Sequence, residues 1–188
     1  WYGNRGDEEL TEKSTSGEGF LPDVCTEWEA AAEAVEDAGI RTVYLRTGIV
    51  LTATGGALGK MLLPFKLGAG GPMGGGKQWM SWVSLDDQIY AIHHLVMNGD
   101  SCGAYNVTAP NPERQKNFAR TLGRVLRRPA FVPLPGLVIR MIFGEMGEKL
   151  TLEGQRVLPI RLQKAGYDFV HEDLESGLRD SLGMWRSI

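Results

Sequence analysis

An α/β fold with a parallel sheet is predicted by three stretches of this chain. Between Phe20 and Ala38, Val24, Trp28, Ala31, Ala32 and Val35 recur at three- and four-residue steps, with Glu27, Glu29, Glu33 and Glu36 largely on the other side, the period of an amphipathic helix. Gly39 then stops that helix from the position after its last turn, and Arg41-Thr-Val-Tyr-Leu-Arg46 reads as a short buried strand; helix, glycine and strand in this order form the second half of a βαβ unit. The alternation returns further on, where a helix beginning after Ser84 is followed by the strand candidate Gly103 to Val107.

The remaining elements follow in chain order. Trp1 to Glu9 runs from aromatics into turn residues, as a strand end leading into a loop would. Thr47-Gly-Ile-Val-Leu51 is a turn and an extended segment leaving the first strand, and Ala57 to Leu67 is helical with Met61, Leu62 and Phe65 inward. Trp79 to Val83 alternates as a strand. Ser84 caps the next helix through the amide three residues on, and Asp86 and Asp87 suit the positive end of its dipole. With no histidine close by in sequence, that acid pair is expected to cap rather than to bind metal, while His93 and His94 are adjacent and so face differently. Ile89, Ile92 and Val96 form an apolar stripe on the same helix. Ala109-Pro-Asn-Pro112 is a turn, and Phe118, Leu122, Val125 and Leu126 make the helix after it amphipathic. Prolines at 129, 133 and 135 impose an extended link; short helices are expected over Leu137 to Phe143 and over Leu150 to Leu162, the latter interrupted at Pro159. A short strand from Tyr167 to Val170 and an amphipathic helix from Asp173 to Leu182 complete the reading.

One stretch stands apart in composition. From Gly68 to Gly76 six of nine residues are glycine, and the run passes into Gln78-Trp-Met-Ser-Trp82. Such a backbone can take positive φ or approach another chain closely, and the two indoles supply apolar area that must be buried in a core, a pocket or a partner.

The overall composition sets outer limits. With 188 residues, 43% hydrophobic and 23% charged, the chain can bury a sizeable core and carries no apolar run of membrane-spanning length. A net charge of -3 gives no footprint for nucleic acid, despite the basic Arg124-Val-Leu-Arg-Arg128. Cys25 and Cys102 lack metal-site spacing and read as reduced thiols of a cytoplasmic protein. There is no Gly-x-Ser-x-Gly elbow, no P-loop, and no Gly-x-Gly-x-x-Gly at a strand-to-helix turn. No metal site is expected, and no catalytic residue can be assigned from the residues themselves.

Several pieces in fixed order carry a resemblance: Tyr2-Gly3, Leu45-Arg-Thr-Gly-Ile-Val-Leu51, Gly55-Gly-Ala-Leu58, Pro64-Phe65, Gln78-Trp79, Ser81-Trp82-Val83, Asp86-Asp87, Ala109-Pro-Asn-Pro112, Arg128-Pro129 and Leu152-Glu-Gly-Gln-Arg-Val-Leu-Pro159. Together they resemble the NAD(P)-dependent epimerase/dehydratase-like branch of the extended short-chain dehydrogenases/reductases, and within it the atypical "epimerase family protein" group. The resemblance implies the C-terminal part of a Rossmann-like parallel sheet over residues 1–55 and a small α/β substrate lobe over 56–188, some of whose elements return to the sheet. It also implies a preceding Rossmann half of roughly a hundred residues, whose glycine-rich turn holds the cofactor pyrophosphate; without it, weak or no dinucleotide binding is expected of this chain alone.

By the same resemblance, Arg46, Thr47, Gly48 and Ile49 lie beside the nicotinamide end of NADP(H) or NAD(H), and Met61, Phe65, Gln78, Trp79 and Trp82 bind the substrate. Two departures from the wider family matter. Its Tyr-x-x-x-Lys acid/base pair aligns with Val24 and Trp28, and Met80 stands where sugar-nucleotide epimerases place a diphosphate-binding arginine. The implied function is therefore an oxidoreductase or epimerase-like protein acting on an apolar or aromatic small molecule, the alternative being a dinucleotide-binding regulator or scaffold without turnover. Neither nucleic acid nor membrane is an implied partner, and a homodimer is left open.

Overall fold

A computed structural model describes residues 1–133, 141 and 153–184. In chain order the elements are β1 (Glu9–Leu10), α1 (Phe20–Ala31), α2 (Glu33–Asp37), β2 (Val43–Thr47), β3 (Ile49–Leu51), α3 (Gly56–Lys66), β4 (Trp79–Met80), β5 (Trp82–Ser84), α4 (Leu85–Met97), β6 (Gly103–Val107), β7 (Glu113–Arg114), α5 (Gln115–Leu126), β8 (Arg156–Val157), α6 (Ile160–Lys164) and α7 (Leu174–Ser181).

The predicted parallel sheet is present. β2 runs parallel to β6 from Val43↔Gly103 to Thr47↔Val107, with α4 in the crossover between them. At Gly48 the chain changes partner: its amide still bonds Val107 O at 3.0 Å, whereas the Ile49 amide bonds Ser81 O at 2.8 Å and β3 continues parallel to β5. A Cβ on Gly48 would lie 2.7 Å from Ser81 O and 2.9 Å from the Thr108 methyl, so only glycine fits at this fork. β1 pairs in parallel with β8, and β4 in antiparallel with β7.

A small apolar cluster of Tyr2, Leu10 and Val157 holds β1 to β8, and two larger ones hold the other strands. One joins Leu51, Leu58, Phe65, Trp82, Phe118 and Leu178, and so packs α3, α5 and α7 onto β3 and β5. The other joins Val83, Ala91, Leu95, Tyr105, Val107 and Leu162 between α4, β6 and α6. The inward faces expected of α3 and α5 are those observed.

Elsewhere the structure departs from the pattern. The helix expected over Phe20 to Ala38 breaks at Ala32, and of α1 only Pro22 is buried; Trp28 is 73% exposed. Among the described residues its apolar face is only partly covered, and its firm attachment is through Glu29 to Arg46. On α4 the fully buried positions are Asp87, Ala91 and Leu95, while the stripe of Ile89, Ile92 and Val96 faces outward. Residues 153–158 are not helical: β8 adds a strand there because Leu10 and Val157 find each other, and helix begins only after Pro159, while residues 150–152 of the expected helix lie outside the described residues. Tyr167 to Val170 is a loop rather than a strand, since a buried carboxylate rather than a neighbouring strand takes its hydrogen bonds. The expected helix over Leu137 to Phe143 lies outside the described residues, Met141 apart. Among the described residues no helix is long and apolar enough to cross a membrane.

Candidate functional site

Ligands of open α/β sheets bind at the carboxyl ends of the strands, and a cavity of about 1010 Å³ opens along β2 to that end. Arg46, Thr47, Gly48 and Ile49 all line it, as do Met61, Gln78 and Trp79. The fork at Gly48 shapes this wall, because splitting the chain between β6 and β5 leaves the end of β2 bordering open space rather than another strand.

Phe65 and Trp82 do not reach the cavity. Phe65 is fully buried between α3 and the glycine run, close under Gly70. Trp82 is also fully buried, with its ring against Gly177 and its Nε1 donating to Asn111 O at 3.1 Å. Side chains three apart on an extended segment point to opposite faces; with Trp79 at the cavity, Trp82 must enter the core. The expectation that both indoles form one substrate wall is corrected on that ground.

Trp79 is itself held from several sides. Its Nε1 donates to Asp7 at 2.9 Å, and the guanidinium groups of Arg114 and Arg156 lie 4.1 and 4.7 Å from its ring centroid. Asp7 also accepts from Arg114, and these two hydrogen bonds, that from Trp79 first, hold its carboxyl below the usual range. This indole is a braced edge of the cavity. Gln78 secures the neighbouring glycine run, its amide donating to Met73 O at 3.1 Å, while Gln115 accepts from the Met73 amide at 2.8 Å. The run is packed rather than loose: a Cβ on Gly71 would fall 2.1 Å from Val132 O.

Arg46 is bonded from several sides on the cavity wall. It grips Glu29 through Nε and Nη2, both at 2.8 Å, donates to the Tyr2 hydroxyl at 3.2 Å and stacks 3.7 Å from the Trp1 ring. The Tyr2 hydroxyl donates onward to Asn106 Oδ1 at 2.6 Å, and Asn106 donates to Leu158 O at 3.0 Å. Burial works against the Arg46 charge, but Glu29 and Tyr2 outweigh it and raise its affinity for the proton; burial also raises Tyr2. Arg46 thus arrives already neutralised, and orders the wall rather than offering a free charge to an anion.

Sequence reasoning placed Arg46 at the site and missed Glu29 and Asn106. Nothing local marks either residue: Glu29 looked like one of four solvated glutamates, and Asn106 is an ordinary strand position. Val24 is not on the cavity wall, whereas Cys25, Trp28 and Glu29 are.

Comparison with known proteins places these features. The family described as Domain of unknown function (DUF1731) matches residues 134–181. Epimerase family protein YfhF of Bacillus subtilis is 42% identical over 178 residues, spanning 94% of this chain and 58% of the relative. Epimerase family protein Mb2239 of Mycobacterium bovis is 36% identical over 178 residues, 95% of this chain and 59% of the relative. The crystal structure of human epimerase family protein SDR39U1 (isoform 2) with NADPH superposes with a TM-score of 0.89 at 37% identity, over 97% of this chain and 62% of that one. Thermus thermophilus UDP-glucose 4-epimerase in complex with NAD shares the fold at TM-score 0.71 and 18% identity, over 99% of this chain and 60% of that one. On this sequence identity and this superposition, the chain is similar to the epimerase family proteins, and it spans 58–62% of the length of these three relatives.

Proposed function

We propose that this chain is part of an NAD(P)(H)-dependent oxidoreductase or epimerase-like protein of the cytoplasm, and that the cavity at the end of β2 receives the nicotinamide end of the cofactor together with an apolar or aromatic small molecule. The observation that carries this reading is the coincidence of position: Arg46 to Ile49 line a cavity at the carboxyl end of a parallel strand, in a chain 37% identical to a protein crystallised with NADPH. Met61, Met73 and Trp79 supply the apolar walls. Met80 also lines the cavity, offering a thioether where a sugar-nucleotide enzyme needs a guanidinium for the diphosphate, which favours an uncharged substrate.

The paired state of Arg46 supports a positioning role. With Glu29 and Tyr2 on its donors it fixes the wall at Thr47 and Gly48 and leaves the chemistry to the bound dinucleotide, which supplies or accepts a hydride when present.

The alternative, a dinucleotide-binding regulator without turnover, is favoured by one observation: the helix expected to carry the Tyr-x-x-x-Lys pair has Val24 and Trp28 there, neither able to move a proton. Single-turnover oxidation of bound NADPH against a panel of aromatic and aliphatic carbonyl compounds, read at the NADPH absorbance in the full-length protein, separates the two. Oxidation with at least one compound is expected. Tight NADPH binding with no oxidation by any of them establishes the regulator instead, and failure to bind NADPH or NADH refutes both.

A further inference from the structure

Away from the cavity, the fold assembles a group of side chains whose members are far apart in sequence. Asp86 stands in the first turn of α4, His171 in the loop that follows α6, and Asp180 near the end of α7. One ligand atom from each lies within 4.8 Å of the other two, and among the described residues they form the only such group of three. None of them lines the cavity.

We infer that Asp86, His171 and Asp180 form a zinc-binding site. Three observations bear on it. First, the His171 ring is buried, with a side-chain exposure of 5%, and its Nε2 stands 3.5 Å from Asp180 Oδ2. A charge-assisted hydrogen bond between such groups closes to about 2.7–2.9 Å, whereas two ligands on one tetrahedral zinc, with metal bonds of about 2.0–2.2 Å, stand about 3.4 Å apart. At 3.5 Å the pair is wider than a direct hydrogen bond and leaves room for both groups to ligate one ion.

Second, the position of His171 is fixed by a different residue. Asp87 Oδ2 accepts the His171 amide at 3.0 Å and Asp87 Oδ1 accepts the Val170 amide at 2.8 Å, which pins the loop against α4 and leaves Asp86 as the member of the acid pair that turns to the imidazole. Third, the charges balance. Two carboxylates and a neutral imidazole carry two negative charges, which one divalent ion cancels, and the nearest arginine in sequence, Arg179, is committed to Glu175 at 2.6 Å. Three protein ligands of N and O type, with water in the fourth position, suit zinc. The ion ties the start of α4 to α7.

The test is calorimetric titration of chelator-stripped protein with zinc chloride, repeated with H171Q, D180N and D86N and with H93Q as a control on exposed His93. One zinc per chain at micromolar affinity or better is expected, with at least a ~100-fold loss in H171Q and D180N, at least ~10-fold in D86N, and no change in H93Q. Stoichiometry well below one, or binding that survives in H171Q, overturns the site. Should any variant fail to keep the wild-type melting temperature without metal, X-ray absorption of the wild-type zinc adduct decides. A first shell of oxygen with one imidazole supports the assignment, and sulfur or a second imidazole refutes it.

Discussion

Removing the Asp87 carboxylate is the most searching perturbation of this fold. The residue is fully buried, and its two oxygens accept four hydrogen bonds: Oδ1 from the Tyr167 hydroxyl and the Val170 amide, both at 2.8 Å, and Oδ2 from the Ser84 hydroxyl at 2.7 Å and the His171 amide at 3.0 Å. Asp87→Ala strands those donors, at about 1–3 kcal/mol for each one that stays buried and unsatisfied. Relief of the carboxylate's own desolvation and entry of water offset part of that, so a net loss of about 3–5 kcal/mol is expected, as for breaking a buried charged network. For a chain of this size the melting temperature falls by roughly 10 °C. Asp87→Asn recovers little, because whichever way the amide turns, its NH2 meets two donors. Tyr167→Phe costs only about 1 kcal/mol. Urea unfolding of the single variants and the double variant, in chelator so that metal plays no part, gives the cycle: the double should fall short of the sum by about 1 kcal/mol. A loss below about 1 kcal/mol in Asp87→Ala would mean that the 167–171 loop holds itself, and that this account of the carboxylate is wrong.

Three further outcomes follow from the packing and the titrating groups. Trp82→Ala, which empties a fully buried indole site, should cost about 3–5 kcal/mol by urea unfolding. Gly48→Ala forces a methyl to within 2.7 Å of Ser81 O, so it should cost about 1–3 kcal/mol and, by spreading the fork beside the cavity, weaken NADPH binding by calorimetry in the full-length protein. Burial, first, and then Asp87 push the Tyr167 phenol upward, and burial does the same for Tyr2. The unfolded chain loses these protons near pH 10 while the folded one keeps them. Their contribution is therefore complete below pH 10 and is lost as pH rises beyond it, so the urea midpoint should drop between about pH 9 and 11, less so in Tyr167→Phe.

What the sequence made legible is what neighbours along the chain decide. Ser84 caps α4 through the Asp87 amide at 2.9 Å, Asp173 caps α7 through the Ser176 amide at 3.0 Å, and the apolar faces of α3 and α5 are buried as their spacing requires. What remained illegible depends on distant partners. No local signal says that Asp87 meets a loop more than eighty positions later and satisfies its amides in place of a strand, or that His171 and Asp180 come back to Asp86.

The two tryptophans belong to neither group. Reading Trp79 to Val83 as a strand already places residues 79 and 82 on opposite faces, since the side-chain period is two. A single wall carrying both indoles was therefore inconsistent with the strand on which they were placed. The structure resolves the conflict in favour of the period: Trp79 stays at the cavity edge among Asp7, Arg114 and Arg156, and Trp82 fills the core against Gly177. The Ser81 carbonyl between them receives the Ile49 amide and its hydroxyl donates to Gln155 O at 2.7 Å, so the residue that separates the two indoles also joins β3 to the segment leading into β8. The cavity wall and the core consequently meet where β4 passes into β5, and Ser81 is the residue that joins the two strands.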